Sequence, residues 1–124
     1  MSTDDKTGPT DRLNELREAL RRFATERDWD QFHSPKNLAI ALSVEASELL
    51  EHFQWAPDTD SGELTPEKRA KVTEELADVL LYLIRLADKL GVDLPNAAIE
   101  KMKTNAAKYP IDKSRGSSKK YTDL

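Results

Sequence analysis

Apolar residues recur at three- and four-residue spacing through most of this chain. Leu13, Leu16, Leu20 and Phe23 predict a first helix over about residues 11–27. Ser34 followed by Pro35 is a side-chain cap with proline at the first helical position. It opens a second helix running to about Trp55, with Leu38, Leu42, Leu49 and Phe53 on one face. Thr65 and Pro66 repeat that signal and open a third helix to Leu90, ended by Gly91, with Val72, Val79, Leu86 and Leu90 as its stripe. Pro95 opens a fourth, which ends before Pro110. No segment alternates as a strand does, so the expected fold is all-α, a four-helix bundle. Residues 1–10 read as a flexible tail, 11–109 as the helical domain and 110–124 as a polar arm or tail. Pro57 and the acidic stretch from Asp58 to Glu63 form the loop between helices two and three.

Acids interrupt two of the apolar stripes. On the second helix Glu45 falls in the middle of the leucine face, with Glu48 one turn on and His52 at the edge. On the third, Glu75 falls among the valines and leucines, flanked by Asp78 and Tyr82. Two helices therefore each carry an acid pair at i, i+3 on a core-facing side. Glu51 and Glu74 match the same spacing, but their angular positions lie away from the stripes. Burying ionised carboxylates without a partner costs several kcal/mol. Crowded like charges need a cation among them, and Lys71, Lys101 and Lys103 are the few in reach. A divalent ion answers the need more economically. A donor set of oxygens points to Mg²⁺, with Mn²⁺ as substitute. His52 reads as a surface histidine, with a ligand role as its alternative.

Composition narrows the classes further. The 124 residues carry a net charge of -4 and no cysteine, with 34% charged and 6% aromatic residues. This excludes a disulfide-stapled module and argues against a nucleic-acid binder. No apolar run approaches the roughly 20 residues of a membrane span. The amino terminus lacks the apolar core of a secretory signal, so the cytoplasm is the expected compartment. So small a chain buries only part of its surface, and its apolar helices suggest a homo-oligomer. Trp29, Phe32, Trp55 and Tyr82 are half of the eight aromatic residues, and with His33 several sit at helix ends, where they could stack a planar base or simply plug the bundle. Lys113, Arg115, Lys119 and Lys120 make the C-terminal segment basic, suited to a triphosphate or to solvent.

The motif Glu45-x-x-Glu48 followed by Glu75-x-x-Asp78 resembles the metal signature of the MazG-like all-α nucleoside triphosphate pyrophosphohydrolases. The strings RDWDQFHSPKNL, ELLEHFQW, EELADVLLYLIRLA, VDLPNAAIEKMKTNAAKYP and SRGSSKKYTDL resemble the dCTP pyrophosphatase branch, from about Leu13 to Leu124. The resemblance implies cleavage between the α and β phosphates of a nucleoside triphosphate, giving monophosphate and pyrophosphate. It implies Mg²⁺ held by Glu45, Glu48, Glu75 and Asp78, which are also the catalytic set. It implies a base pocket from Trp29, His33, Trp55, Tyr82 and Asn105, partly across a subunit interface. Lys101 would contact phosphate, and the assembly would be a homotetramer built as a dimer of dimers.

The residues allow that chemistry. Hydrolysis at phosphorus needs positioning and charge neutralisation more than a covalent nucleophile. An ion bridging acids to phosphates supplies the neutralisation, and one acid, with Glu48 the candidate, would take a proton from water. Three alternatives compete. A metal-free helical interaction module accounts for the apolar second helix but not for its acids. A di-iron bundle needs Glu-x-x-His, which fails because Leu49 stands three residues before His52 and Asp30 three before His33. A related pyrophosphohydrolase with another nucleotide would share the fold and acids.

Overall fold

The computed structural model describes residues 9–57 and 62–124, with side chains from Arg12 onward. The expected N-terminal tail lies outside the described residues up to residue 8, as does the acidic loop over 58–61. Among the described residues there is no strand. The elements are α1 (Pro9–Glu26), a 3-10 turn (Asp30–Phe32), α2 (Pro35–Glu51), α3 (Pro66–Lys89), α4 (Leu94–Lys108), α5 (Ile111–Ser114) and a last 3-10 turn (Tyr121–Asp123). Among the described residues the fold is all-helical, with five α-helices rather than four. The extra one, α5, is a single turn in the stretch expected to be irregular, and four residues leave no apolar period to read.

The helix ends follow from local chemistry. Ser34 Oγ accepts from the Asn37 amide at 3.1 Å, and Thr65 Oγ1 from the Lys68 amide at 3.2 Å. Asp93 caps α4 in the same way through Asn96. Each cap satisfies one of the amides that a helix start leaves without a partner. At the end of α1, the Trp29 amide donates back to Ala24 O and the Asp28 amide to Thr25 O, with Asp28 in the left-handed region at φ 54°. The end of α3 repeats this closure, with Val92 bonded to Ala87 O, Gly91 to Asp88 O, and Gly91 at φ 67°.

Contacts divide the chain into two compact units, one ending at Val92 and one spanning Asp93–Leu124. In the first, α2 packs along α3, and α1 lies against α3. Leu38, Val72, Ile84, Ala87 and Ala24 are its buried apolar residues, and Arg85 is buried among them. Leu42, Leu49, Phe53, Val79 and Leu86 are half-buried on the expected faces, whereas Phe23 and Leu90 are exposed. Phe23 packs instead against Trp29, edge to face at 5.6 Å, and under the Arg27 guanidinium at 3.7 Å. In the second unit, the Tyr109 hydroxyl accepts from the Tyr121 amide at 3.3 Å, and the two rings meet edge to face at 6.0 Å. Its helix α4 has no buried residue. No described helix is long and apolar enough to cross a membrane.

Candidate active site

Two neighbouring features on the α1–α2–α3 unit carry chemistry. The first is the set of acids on the facing helices α2 and α3. Glu45, Glu48, Glu75 and Asp78 are all half-buried, while Glu51 and Glu74 are exposed. Partial burial pushes the Glu45 carboxyl above its usual range, and the negative charges of Glu48, Asp78 and Glu75 push it further, with a hydrogen bond shared with Glu48. His52 is half-buried rather than at the surface. Its Nε2 lies 2.7 Å from Glu75 Oε2, yet that oxygen, sealed from solvent, accepts no hydrogen bond. Among the described residues no lysine or arginine forms an ion pair with any of the four acids. Among them, too, no three acid or histidine side chains have closed into a cage of metal-ligand geometry. Crowded carboxylates are, by their chemistry, donors suited to a hard divalent cation.

The second feature is a cavity of about 340 Å³ between α1, the link to α2, and α3. Leu16, Ala19, Leu20, Phe23 and Leu81 give it apolar walls; Trp29, His33 and Tyr82 add rings, and Asp78 and Arg85 add charge. A volume of that size suits a small planar ligand. Asp78 belongs to both features, so the acids adjoin the cavity. Trp29 reaches it because the α1 closure turns the chain back over Phe23. His33 reaches it from the short turn fixed by the Ser34 cap and by Asn37 Nδ2 donating to Phe32 O at 3.0 Å.

A polar network includes His33 and Arg85 of the cavity wall. Arg85 Nε donates to His33 Nδ1 at 3.1 Å, and its Nη2 to Asp30 Oδ1 at 2.6 Å. Lys89 also donates to Asp30, and Arg21 Nε to Asp88 Oδ2 at 2.7 Å. The Lys89 hydrogen bond holds the Asp30 carboxyl below its usual range, and the Arg21 hydrogen bond does the same for Asp88. Burial lowers the His33 pKa, and the Arg85 and Lys89 charges lower it further. Arg85, Asp88 and Arg21 escape a reading of apolar stripes, which passes over charged positions. The signal was an arginine inside the apolar run from Val79 to Ala87.

The remaining expected site residues lie elsewhere. Trp55, in the turn after α2, is 88% exposed and does not line the cavity. Lys101 and Asn105 are exposed on α4, in the second unit.

The first unit is all-helical, with acids on facing helices beside an aromatic cavity, and comparison with known proteins gives its family. The MazG-like family model matches residues 40–124. The dCTP pyrophosphatase 1 of Mus musculus is 52% identical over 118 residues, covering 94% of this chain and 69% of the mouse protein. The Homo sapiens dCTP pyrophosphatase 1 is 48% identical with the same coverage. A crystal structure of a pyrophosphatase from Archaeoglobus fulgidus matches with a TM-score of 0.75 and 41% identity, over 80% of this chain and 93% of that one. The chain belongs to the MazG-like family, on the branch of the dCTP pyrophosphatases.

Proposed function

We propose that this chain hydrolyses dCTP, or a base-modified dCTP, to the monophosphate and pyrophosphate, with Mg²⁺ held by Glu45, Glu48, Glu75 and Asp78. Its class is that of the nucleoside triphosphate pyrophosphohydrolases, as about half-identity to curated dCTP pyrophosphatases over most of the chain indicates. The observation that supports the finer reading is that the charges of Glu48, Asp78 and Glu75 act on the Glu45 carboxyl, while Asp78 also lines the aromatic cavity. An acid-lined site alone would repel a triphosphate. A bound Mg²⁺ supplies the missing positive charge and acidifies water nearby, and Mn²⁺ would substitute. The chain's own groups do the rest. Trp29 and Tyr82 flank the base, His33 offers it a hydrogen bond, and Glu48 is the candidate to accept a proton from the attacking water.

The chain works as a homo-oligomer, a tetramer in the proposed form. Its support is the unpartnered apolar surface of α2 and α3, where Ile40, Val44, Leu76, Leu80 and Leu83 are exposed. Trp55, Lys101 and Asn105 take their base and phosphate roles in that assembly. The proposed compartment is the cytoplasm, in keeping with a chain that has no cysteine.

The test is a panel of nucleoside triphosphates with MgCl₂, scored for monophosphate and pyrophosphate. Preference for dCTP or its base-modified forms supports the reading. Turnover only of other nucleotides, or release of orthophosphate, rejects it. Glu45→Gln and Asp78→Asn should each abolish pyrophosphate release with helicity retained.

A further inference from the structure

Arg85 stands in the apolar run of α3 with its side chain only 7% exposed. Burying a guanidinium is costly unless its donors find partners. Here Asp30 balances the charge at 2.6 Å, with Asp88 at 3.6 Å, and Nε is directed at the ring of His33. A guanidinium has only donors and does not lose its proton. The atom receiving that N–H, His33 Nδ1, must therefore present a lone pair. The adjacent positive charges of Arg85 and Lys89 disfavour a second proton on the ring. The ring is then neutral with its proton on Nε2, and it lines the cavity beside Trp29 and Tyr82.

We propose that Arg85 is a positioning and specificity-determining residue: it fixes His33 in the Nε2–H form, so that the cavity offers a hydrogen-bond donor to the base. Such a donor fits an edge carrying acceptors, as the N3 and O2 of cytosine do, and meets the N3–H of uracil or thymine unfavourably. The choice of base is then written in α3, seven residues beyond Asp78 and one turn beyond Tyr82. This rests on the proposed nucleotide hydrolysis for its effect on substrate choice, but not for the tautomer.

The test has two arms. The first labels the two histidines of the full-length protein with ¹⁵N and reads His33 by NMR near pH 7.5 without nucleotide, using H33Q for assignment. The expected spectrum shows an unprotonated Nδ1 and a protonated Nε2. A proton on Nδ1, or a doubly protonated ring, overturns the proposal. The second arm measures R85M, which keeps the aliphatic stem and removes the donor. His33 should become a tautomer mixture. KM for dCTP should rise about two- to threefold, the inverse of the fraction of rings left in the Nε2–H form, with kcat unchanged within error, and the preference for dCTP over dUTP should narrow. R85K, which retains a donor, should recover part of the KM. An unchanged tautomer or an unchanged dCTP:dUTP ratio in R85M overturns the proposal. Should R85M fail to fold, the wild-type spectrum still decides. Should no triphosphate be hydrolysed at all, the functional reading fails while the tautomer is still determined.

Discussion

Asp28 and Gly91 occupy the same place in two helix ends, each in left-handed backbone one residue before a chain reversal. A side chain with a Cβ is strained there by about 1 kcal/mol. Nothing lies within 4 Å of a Cβ built on Gly91, so Gly91→Ala should lower stability by about 1 kcal/mol through backbone alone, read from a denaturant midpoint at constant slope. Asp28→Gly should do the reverse, by about 0.5 kcal/mol. Of this pair the glycine was legible in the sequence and the aspartate was not, because aspartate enters that conformation only when the hydrogen bonds around it demand it. Asp88 carries a prediction in pH. Its folded pKa lies below the ordinary 3.8, chiefly through Arg21, so its contribution is present above that value and is lost as pH falls through the folded one. Asp88→Asn should cost about 1–2 kcal/mol at pH 7, and the gap to wild type should begin to narrow once pH falls below 3.8 in thermal melts.

At the level of elements, the caps and periods named three helix starts and placed Leu38, Leu42, Val72 and Val79 facing inward, where they are found. The same periodicity misjudged Phe23 and Leu90. Phe23 is drawn off the stripe by Trp29 and Arg27, and Leu90 is the cap residue where the helix geometry ends. Periodicity also singled out the interrupting acids but could not see Arg85, whose burial depends on partners 52 and 55 residues away. The like charges of α2 and α3 strain the pairing of these two helices. Glu45→Gln should therefore raise the melting temperature in EDTA, while removing the upward shift that MgCl₂ gives the wild type. A wild-type melting temperature indifferent to MgCl₂ would reject the proposed ion site. Leu38→Ala, at a side chain only 2% exposed, should cost about 3 kcal/mol.

Taken whole, the molecule keeps few residues fully inside. Among the described residues five apolar side chains are buried, while Ile40, Val44, Leu50, Leu76, Ile99 and Met102 stand at least 49% exposed. A soluble 14.0 kDa chain left in that state would associate. Sedimentation should return a mass several times that of one chain, and replacing Ile40 and Val44 together by glutamate should reduce it. Here the sequence was informative only in outline. It showed more apolar stripe than one small core consumes, but which faces stay uncovered depends on how the helices share them.

Helix α3 carries Glu75 and Asp78 near one end of the site and Arg85 near the other, with no glycine or proline between Pro66 and Gly91. Asp78 and Arg85 are seven residues apart, almost two full turns, so they emerge on nearly the same side about 10 Å apart along the axis. A rigid rod of that kind acts as a gauge. In the proposed site no hinge could stretch to reconcile a bulkier base with the acids, so an oversized nucleotide seated at one mark would leave its phosphates off the other. A single residue inserted between the marks would swing them roughly 100° apart and make the gauge read nothing.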